Sequence, residues 1–278
     1  MTDRRLTPAN ARVAATALKG LVQDVTFTDG TAMTVTVPVA DLLAAPGGAR
    51  DRQLLYGEAV TVFEVTDGMA FVQAGKDGYV GYVLQDMLGE SVVPTHRVSV
   101  LATHLYPQPE LKCPEVMGLG FGARLRIVSA SGAYFETDAG YFVPKPHIRP
   151  LNAPLADFVT VAQMHFGVPY LWGGNSNTGI DCSGLVQAGL IACGVDCPGD
   201  SDLQMAALGR DVAGGDVKRG DLFFFKGHVA IAVDAETLIH ANAHHMAVAY
   251  EPLAEAISRI ETQGEGPVLA QKRLDHGV

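Results

Sequence analysis

Basic residues are scarce in this chain and never run more than two together: 20 Lys and Arg stand against 30 Asp and Glu, for a formal net charge of -10. A phosphate backbone would have to bind against that field, so nucleic acid is not expected as a partner. Also missing is an uncharged apolar run of roughly 18 residues, the minimum for a bilayer-spanning helix, so no membrane partner is expected. The first residues, Met-Thr-Asp-Arg-Arg-Leu-Thr-Pro, are charged and then polar. They lack the apolar core of about 7 to 15 residues that an export signal carries, and the expectation is a cytoplasmic protein. Cysteine is rare, with four in 278 residues, which fits a reduced compartment in which none needs a partner. What remains is ordinary globular material, 48% hydrophobic and 18% charged, long enough for two or three domains.

One of the four cysteines has a distinctive setting. In Tyr170-Leu-Trp-Gly-Gly-Asn-Ser-Asn-Thr-Gly-Ile-Asp-Cys-Ser-Gly-Leu a glycine-rich loop delivers Cys182 to the start of an apolar helix. Asp181 is a good N-cap, Leu185, Val186, Leu190 and Ile191 recur at helical spacing, and Gly194 supplies a stop. Cys182 therefore falls in the first turn, where unpaired N–H groups and the positive end of the helix dipole favour a thiolate and can steady an oxyanion.

Downstream, Gly220-Asp-Leu-Phe-Phe-Phe, Gly227-His-Val-Ala-Ile-Ala-Val and Thr237-Leu-Ile-His-Ala-Asn read as three short strands separated by turn residues. Two of them carry a histidine. On adjacent antiparallel strands packed against the Cys182 helix, His228 serves as base to the thiol and His240 holds its other nitrogen. Cys193 and Cys197 lack the second ligand pair of a zinc site and are read as free thiols. The cluster His240, His244 and His245 has no HExxH pattern or carboxylate companion, so neither metal nor cofactor is expected.

Asp181-Cys182-Ser183-Gly184-Leu185, Gly220-Asp221-Leu222, Gly227-His228-Val229 and His240-Ala241 resemble the signature segments of the NlpC family of cell-wall cysteine peptidases, and the likeness covers about residues 155 to 275. The resemblance implies a papain-like fold and a Cys182, His228, His240 triad that cleaves between γ-D-glutamate and a diamino acid. It further implies oxyanion or substrate contacts at Tyr170, Asp181 and Ser183, and substrate contacts at Asp200 and Ser201. In related peptide-recycling enzymes an acidic residue and a tyrosine of an N-terminal barrel meet the free amine of L-alanine. Glu58 and Tyr82 match that role by character.

Elsewhere the chain reads as structure. Val13, Ala14, Leu18, Leu21 and Val22 predict a short docking helix or arm within residues 1–30. Residues 31–150 hold a degenerate repeat: Gly57-Glu-Ala-Val-Thr-Val-Phe, Asp67-Gly68 and Phe71 answer Gly122-Ala-Arg-Leu-Arg-Ile-Val, Ser131-Gly132 and Phe135. Two small barrels follow, 31–93 and 94–150, resembling bacterial SH3-type domains. Pro144, Pro146, Pro150 and Pro154 read as a linker over 144–154. Phe158, Val161, Ala162 and His165 predict a helix, with His165 packed rather than catalytic, and Gln204 receives no role.

The expected architecture is α+β, two SH3-type barrels followed by a papain-like NlpC domain over 151–278. The expected function is hydrolysis of murein tripeptides or tetrapeptides with a free N-terminal L-Ala, in cytoplasmic peptide recycling. An amidase or acyltransferase of the same fold, and a non-catalytic peptide- or wall-binding module, are the alternatives.

Overall fold

The structure, a computed structural model, describes residues 3–212 and 214–274. The extreme ends of the first and last expected segments lie outside the described residues. The chain divides into two compact units, Met1–Leu151 and Asn152–Val278, and its helices and many short strands make it α+β.

Of the docking helix or arm expected at the N-terminus, the helix does not form. A 3-10 turn at Arg4–Leu6, a strand Val13–Ala15 paired in parallel with Thr26–Thr28, and a second 3-10 turn at Thr16–Leu18 replace it. The side chain of Asn10 accepts the N–H groups of Arg12 and Val13, a local bond that competes with helix formation. Arg12 then anchors the segment through Glu64 at 2.6 Å. Leu21, which a docking helix would bury, is 78% exposed.

The rest of this unit holds two cores. The first lies inside a seven-stranded antiparallel sheet from Thr31–Val35 to Leu88–Glu90, filled by Val35, Leu42, Leu54, Val60, Val72 and Val83. The second is built from smaller ladders between His96–Val98 and Ile148–Pro150 around Val98, Leu105, Leu119, Leu125 and Val143. In both, a three-stranded meander is followed by a 3-10 turn and a short closing strand: Ala59–Thr66, Met69–Ala74, Val80–Leu84, Gln85–Met87 and Leu88–Glu90 in the first, Ile127–Ser131, Tyr134–Thr137, Phe142–Pro144, Lys145–His147 and Ile148–Pro150 in the second. The backbones meet closely, since Arg124 donates to the Tyr56 carbonyl and a Cβ on Gly57 would come within 2.0 Å of the Arg124 carbonyl oxygen.

The expected linker over 144–154 is corrected in its first part, while residues 151–157, with Pro154, carry no helix or strand and hold the boundary between the units. Pro144 ends one strand, Pro146 lies in the 3-10 turn and Pro150 ends another. Each sits at an element end or in the first turn of a helix, where a missing N–H costs nothing.

The second unit is built on a six-stranded antiparallel sheet, whose strands we label β1 (Arg210–Asp211), β2 (Leu222–Phe225), β3 (His228–Ala232), β4 (Thr237–Asn242), β5 (Ala247–Pro252) and β6 (Ala270–Arg273). Their spatial order is β1-β6-β2-β3-β4-β5. Around it lie α1 (Phe158–Met164), α2 (Cys182–Ala192), α3 (Ser201–Ala207) and α4 (Leu253–Ile260). Strands β2 and β3 are buried throughout, which explains why they read as continuous apolar runs rather than alternating ones. Ala256 and Ile260 of α4 pack on Phe223, Phe225, Ala230, Ala232 and Leu238, one face of the sheet. His240 and Glu251 share that face by alternation, since Leu238 pairs directly with Glu251 and His240 with Ala249. Helix α2 packs on α1, β3 and β4.

Candidate active site

Helix α2 begins as its sequence dictates. Asp181 occupies the N-cap with extended backbone, and its Oδ1 accepts the Gly184 N–H at 2.6 Å and the Ser183 hydroxyl at 2.9 Å. Its Oδ2 accepts the Gly173 N–H at 3.0 Å, tying the glycine-rich loop to the helix. Gly184 must be glycine: a Cβ there would lie 2.5 Å from the Gly174 carbonyl oxygen. Cys182 is thereby fixed in the first turn of an 11-residue helix, 7% exposed. A thiolate there gains from the helix dipole.

The histidines come from the sheet. Gly227, with φ of 76°, allows the tight β2–β3 turn that places His228 opposite Phe225. His228 Nε2 lies 2.9 Å from His240 Nδ1 on β4, and the rings are 5.1 Å apart between centroids. Burial, then repulsion from His240, pushes His228 down to about 3. Burial likewise lowers His240, against the opposing pull of Glu251. Both rings are therefore neutral near pH 7. Among the described residues no hydrogen bond engages Nδ1 of His228.

Sequence reasoning missed the next residue in this line. His240 Nε2 lies 3.0 Å from Glu251 Oε2 on β5, and Arg259 of α4 grips the carboxylate through Nε and Nη2, both at 2.8 Å. Although burial opposes it, bonding from Arg259 and His240 holds Glu251 well below the usual carboxylate range. The available signal was spacing: Glu251 is two strand residues past the partner of His240, the diagonal neighbour on the same face. It lay outside every recognisable motif.

The other expected site residues fall into three groups. Tyr170 is half-buried, and its N–H donates to the Met246 carbonyl, pinning its loop to the β4–β5 turn. Asp200 is at the N-cap of α3 but makes no capping hydrogen bond with its side chain, and Ser201 opens that helix. Their segment is held to α2 by Gln204, fully buried, which donates to the Ser183 carbonyl at 2.9 Å and the Pro198 carbonyl at 3.0 Å. Gln204, given no role from sequence, is thus the fastener between α3 and the start of α2. His165 is a buried C-cap residue bonded to the Val161 carbonyl, with its basicity lowered by burial.

Glu58 and Tyr82, expected to meet a substrate ammonium, belong to the other unit. The Glu58 carboxylate accepts the Leu55 N–H at 3.1 Å and pairs with Lys76 at 3.0 Å, both side chains being less than a tenth exposed. Tyr82 packs on Phe71 with ring centroids 5.1 Å apart. No disulfide joins Cys113, Cys182, Cys193 and Cys197.

Comparison with known proteins gives two family matches. Residues 167–264 match the NlpC/P60 family, and residues 42–88 match the bacterial dipeptidyl-peptidase Sh3 domain. The gamma-D-glutamyl-L-lysine dipeptidyl-peptidase of Bacillus subtilis (strain 168) is 29% identical over 231 residues, covering 74% of this chain and 76% of its own. The protein of the same name from Bacillus cereus (strain ATCC 10987 / NRS 248) is 27% identical over 237 residues, 73% of this chain and 70% of its own. The crystal structure of an NlpC/P60 family protein from Bacillus cereus ATCC 10987 superposes with a TM-score of 0.73 at 21% identity, over 87% of this chain and 99% of that one. That likeness speaks for the fold.

Proposed function

We propose, starting from a chain that carries an NlpC/P60 peptidase domain downstream of a bacterial dipeptidyl-peptidase SH3 domain, that it hydrolyses the bond between γ-D-glutamate and an L-diamino acid in murein peptides. The observation that carries this reading is the 2.9 Å pairing of His228 with His240 on strands against which the Cys182 helix packs. Nucleophile, base and orienting group are the parts that thioester chemistry needs.

In the proposed reaction Nδ1 of His228 takes the Cys182 proton and the sulfur attacks the γ-carbonyl of D-glutamate. Backbone N–H groups at the start of α2, with Tyr170, steady the oxyanion. The C–N bond breaks, His228 gives its proton to the departing amine, and a thioester remains. Water, deprotonated by His228, then cleaves the thioester and restores the thiol. Asp181 and Ser183 hold the start of α2, and Asp200 and Ser201 are assigned to substrate.

The bond assignment is supported by the names of relatives that align over most of this chain, whereas those named probable endopeptidase p60 align over 30% of it. Soluble tripeptides and tetrapeptides, processed in the cytoplasm, are proposed as the substrates rather than the intact wall. Within that class, a peptide with a free N-terminal L-Ala is proposed as the substrate.

Mass spectrometry of products from L-Ala-γ-D-Glu-diaminopimelate and its lysine analogue tests the reading. Release of L-Ala-D-Glu and the free diamino acid is expected. An untouched peptide, or one cleaved at another bond, overturns it and favours an amidase, an acyltransferase or a binding module.

A further inference from the structure

Three buried side chains and one cation form an unbroken line in the second unit: His228 Nε2 to His240 Nδ1 at 2.9 Å, His240 Nε2 to Glu251 Oε2 at 3.0 Å, and Glu251 to Arg259 at 2.8 Å twice. Hydrogen-bond direction along it has one solution. Arg259 can only donate, so both carboxylate oxygens accept, and an ionised carboxylate has no proton to give back. The ring nitrogen facing Oε2 must therefore carry the hydrogen. Neutral His240 has only one N–H, so its Nδ1 is bare and must accept from Nε2–H of His228. Neutral His228 is then bare at Nδ1. The opposite assignment would set a ring lone pair against a carboxylate oxygen at 3.0 Å in a buried site, which is repulsive.

We propose that Glu251, clamped by Arg259, is a positioning residue that fixes the tautomers of both histidines, leaving His228 basic at Nδ1, the nitrogen to which the Cys182 proton goes. This rests on Cys182 and His228 being nucleophile and base. Glu251 touches neither substrate nor thiol and acts through His240. Arg259 has a second part: by holding Glu251 ionised it stops the carboxylate from competing for the His240 proton, so the carboxylate orients and stabilises without becoming the base. The charged and titratable groups around His240 are His228 from β3, Glu251 from β5, Arg259 from α4 and His245 from the β4–β5 turn. None of the others supplies a fixed acceptor.

The first test needs no substrate. Long-range proton–nitrogen NMR on histidine-labelled, full-length protein reads which ring nitrogen bears hydrogen. Nε2–H is expected at both His228 and His240, and Nδ1–H at either overturns the proposal. The second test is Glu251→Gln. Arg259 draws the amide oxygen toward itself, which turns the amide N–H group toward His240 and reverses both tautomers. Turnover number should fall on the order of 10²- to 10³-fold with KM within about twofold, as expected when a base is left in the wrong tautomer. Adding Arg259→Met frees the amide to turn its oxygen to His240, and should recover at least about tenfold with the Nε2–H signals restored. A Glu251→Gln protein that keeps its turnover number, or loses activity while its tautomers stay in place, overturns the proposal. Should that variant fail to fold, the wild-type spectrum still decides. If wild-type protein shows the expected tautomers yet leaves L-Ala-γ-D-Glu-diaminopimelate intact, the substrate reading fails and the positioning role stands.

Discussion

Two buried glutamates, one in each unit, are each gripped by a cation. Glu58 pairs with Lys76 in the first barrel and, among the described residues, otherwise bonds only to its own turn, through the Leu55 N–H. Glu251 pairs with Arg259 and passes its second contact to His240, and from there to His228. Burial and charge alone would rank them as equals. What separates them is whether the remaining lone pair ends in backbone or in a titratable ring: the first arrangement closes on itself and stabilises a fold, the second transmits a proton preference to a base.

The comparison is broken most severely at its functional end. Cys182→Ala should reduce peptide hydrolysis to background with the fold kept, since losing one sulfur at a helix start leaves a small cavity; activity remaining in a purified, folded variant would contradict the assignment. His228→Ala should cost ~10³-fold or more in turnover number, within the upper range for removing a general base. His240→Ala should cost less, on the order of 10²-fold, because it orients the base without carrying the transferred proton. Steady-state kinetics on all three, with a larger loss at position 240 than at 228, would reverse the roles.

At the barrel end the expected outcome is of another kind. Glu58→Ala strands Lys76 in the barrel and should destabilise that unit by about 3 kcal/mol, the usual range for breaking a buried pair. Cys182 alkylation rates should be unchanged, because the pair lies outside the catalytic unit. Urea unfolding together with iodoacetamide kinetics measures both, and a slowed alkylation in the folded variant would tie Glu58 to the site.

The smallest effect is one of pH. His165, His228 and His240 are all held neutral by burial, below their ordinary value of 6.5. A base whose folded pKa is depressed contributes stability that is fully present above 6.5 and is lost as pH falls toward the folded value, about 3 for His228. His228 therefore costs roughly 1.4 kcal/mol per pH unit below 6.5 until its folded value is reached, and His165 and His240 act in the same direction. Denaturant midpoints of the second unit should drop between pH 6.5 and 5, a window in which carboxylates barely titrate. A flat profile there would mean that the rings are solvated.

Much of this was legible in the sequence, for local reasons. A cap, a glycine loop and a helical stripe fixed the setting of Cys182, and turn glycines bounded the histidine strands. The N-terminal helix failed because a stripe of Val13, Leu18 and Leu21 has the right period but no core to face, while Asn10 and Arg12 form bonds incompatible with it. Prolines misled in the same way, since Pro144, Pro146 and Pro150 occupy the few strand-end and first-turn positions that accept them. Glu251, Gln204 and the Glu58–Lys76 pair were invisible because their partners are set by strand register and helix packing, which no local pattern encodes.

The central claim, that Cys182 attacks the γ-carbonyl of D-glutamate, is tested most directly with an L-Ala-γ-D-Glu analogue bearing a diazomethyl ketone in place of the scissile amide. Incubation followed by peptide mapping should find one adduct, on Cys182, whose formation slows when excess L-Ala-γ-D-Glu-diaminopimelate is present. Labelling spread over Cys113, Cys193 and Cys197, or an adduct on Cys182 that the tripeptide does not protect, would contradict it.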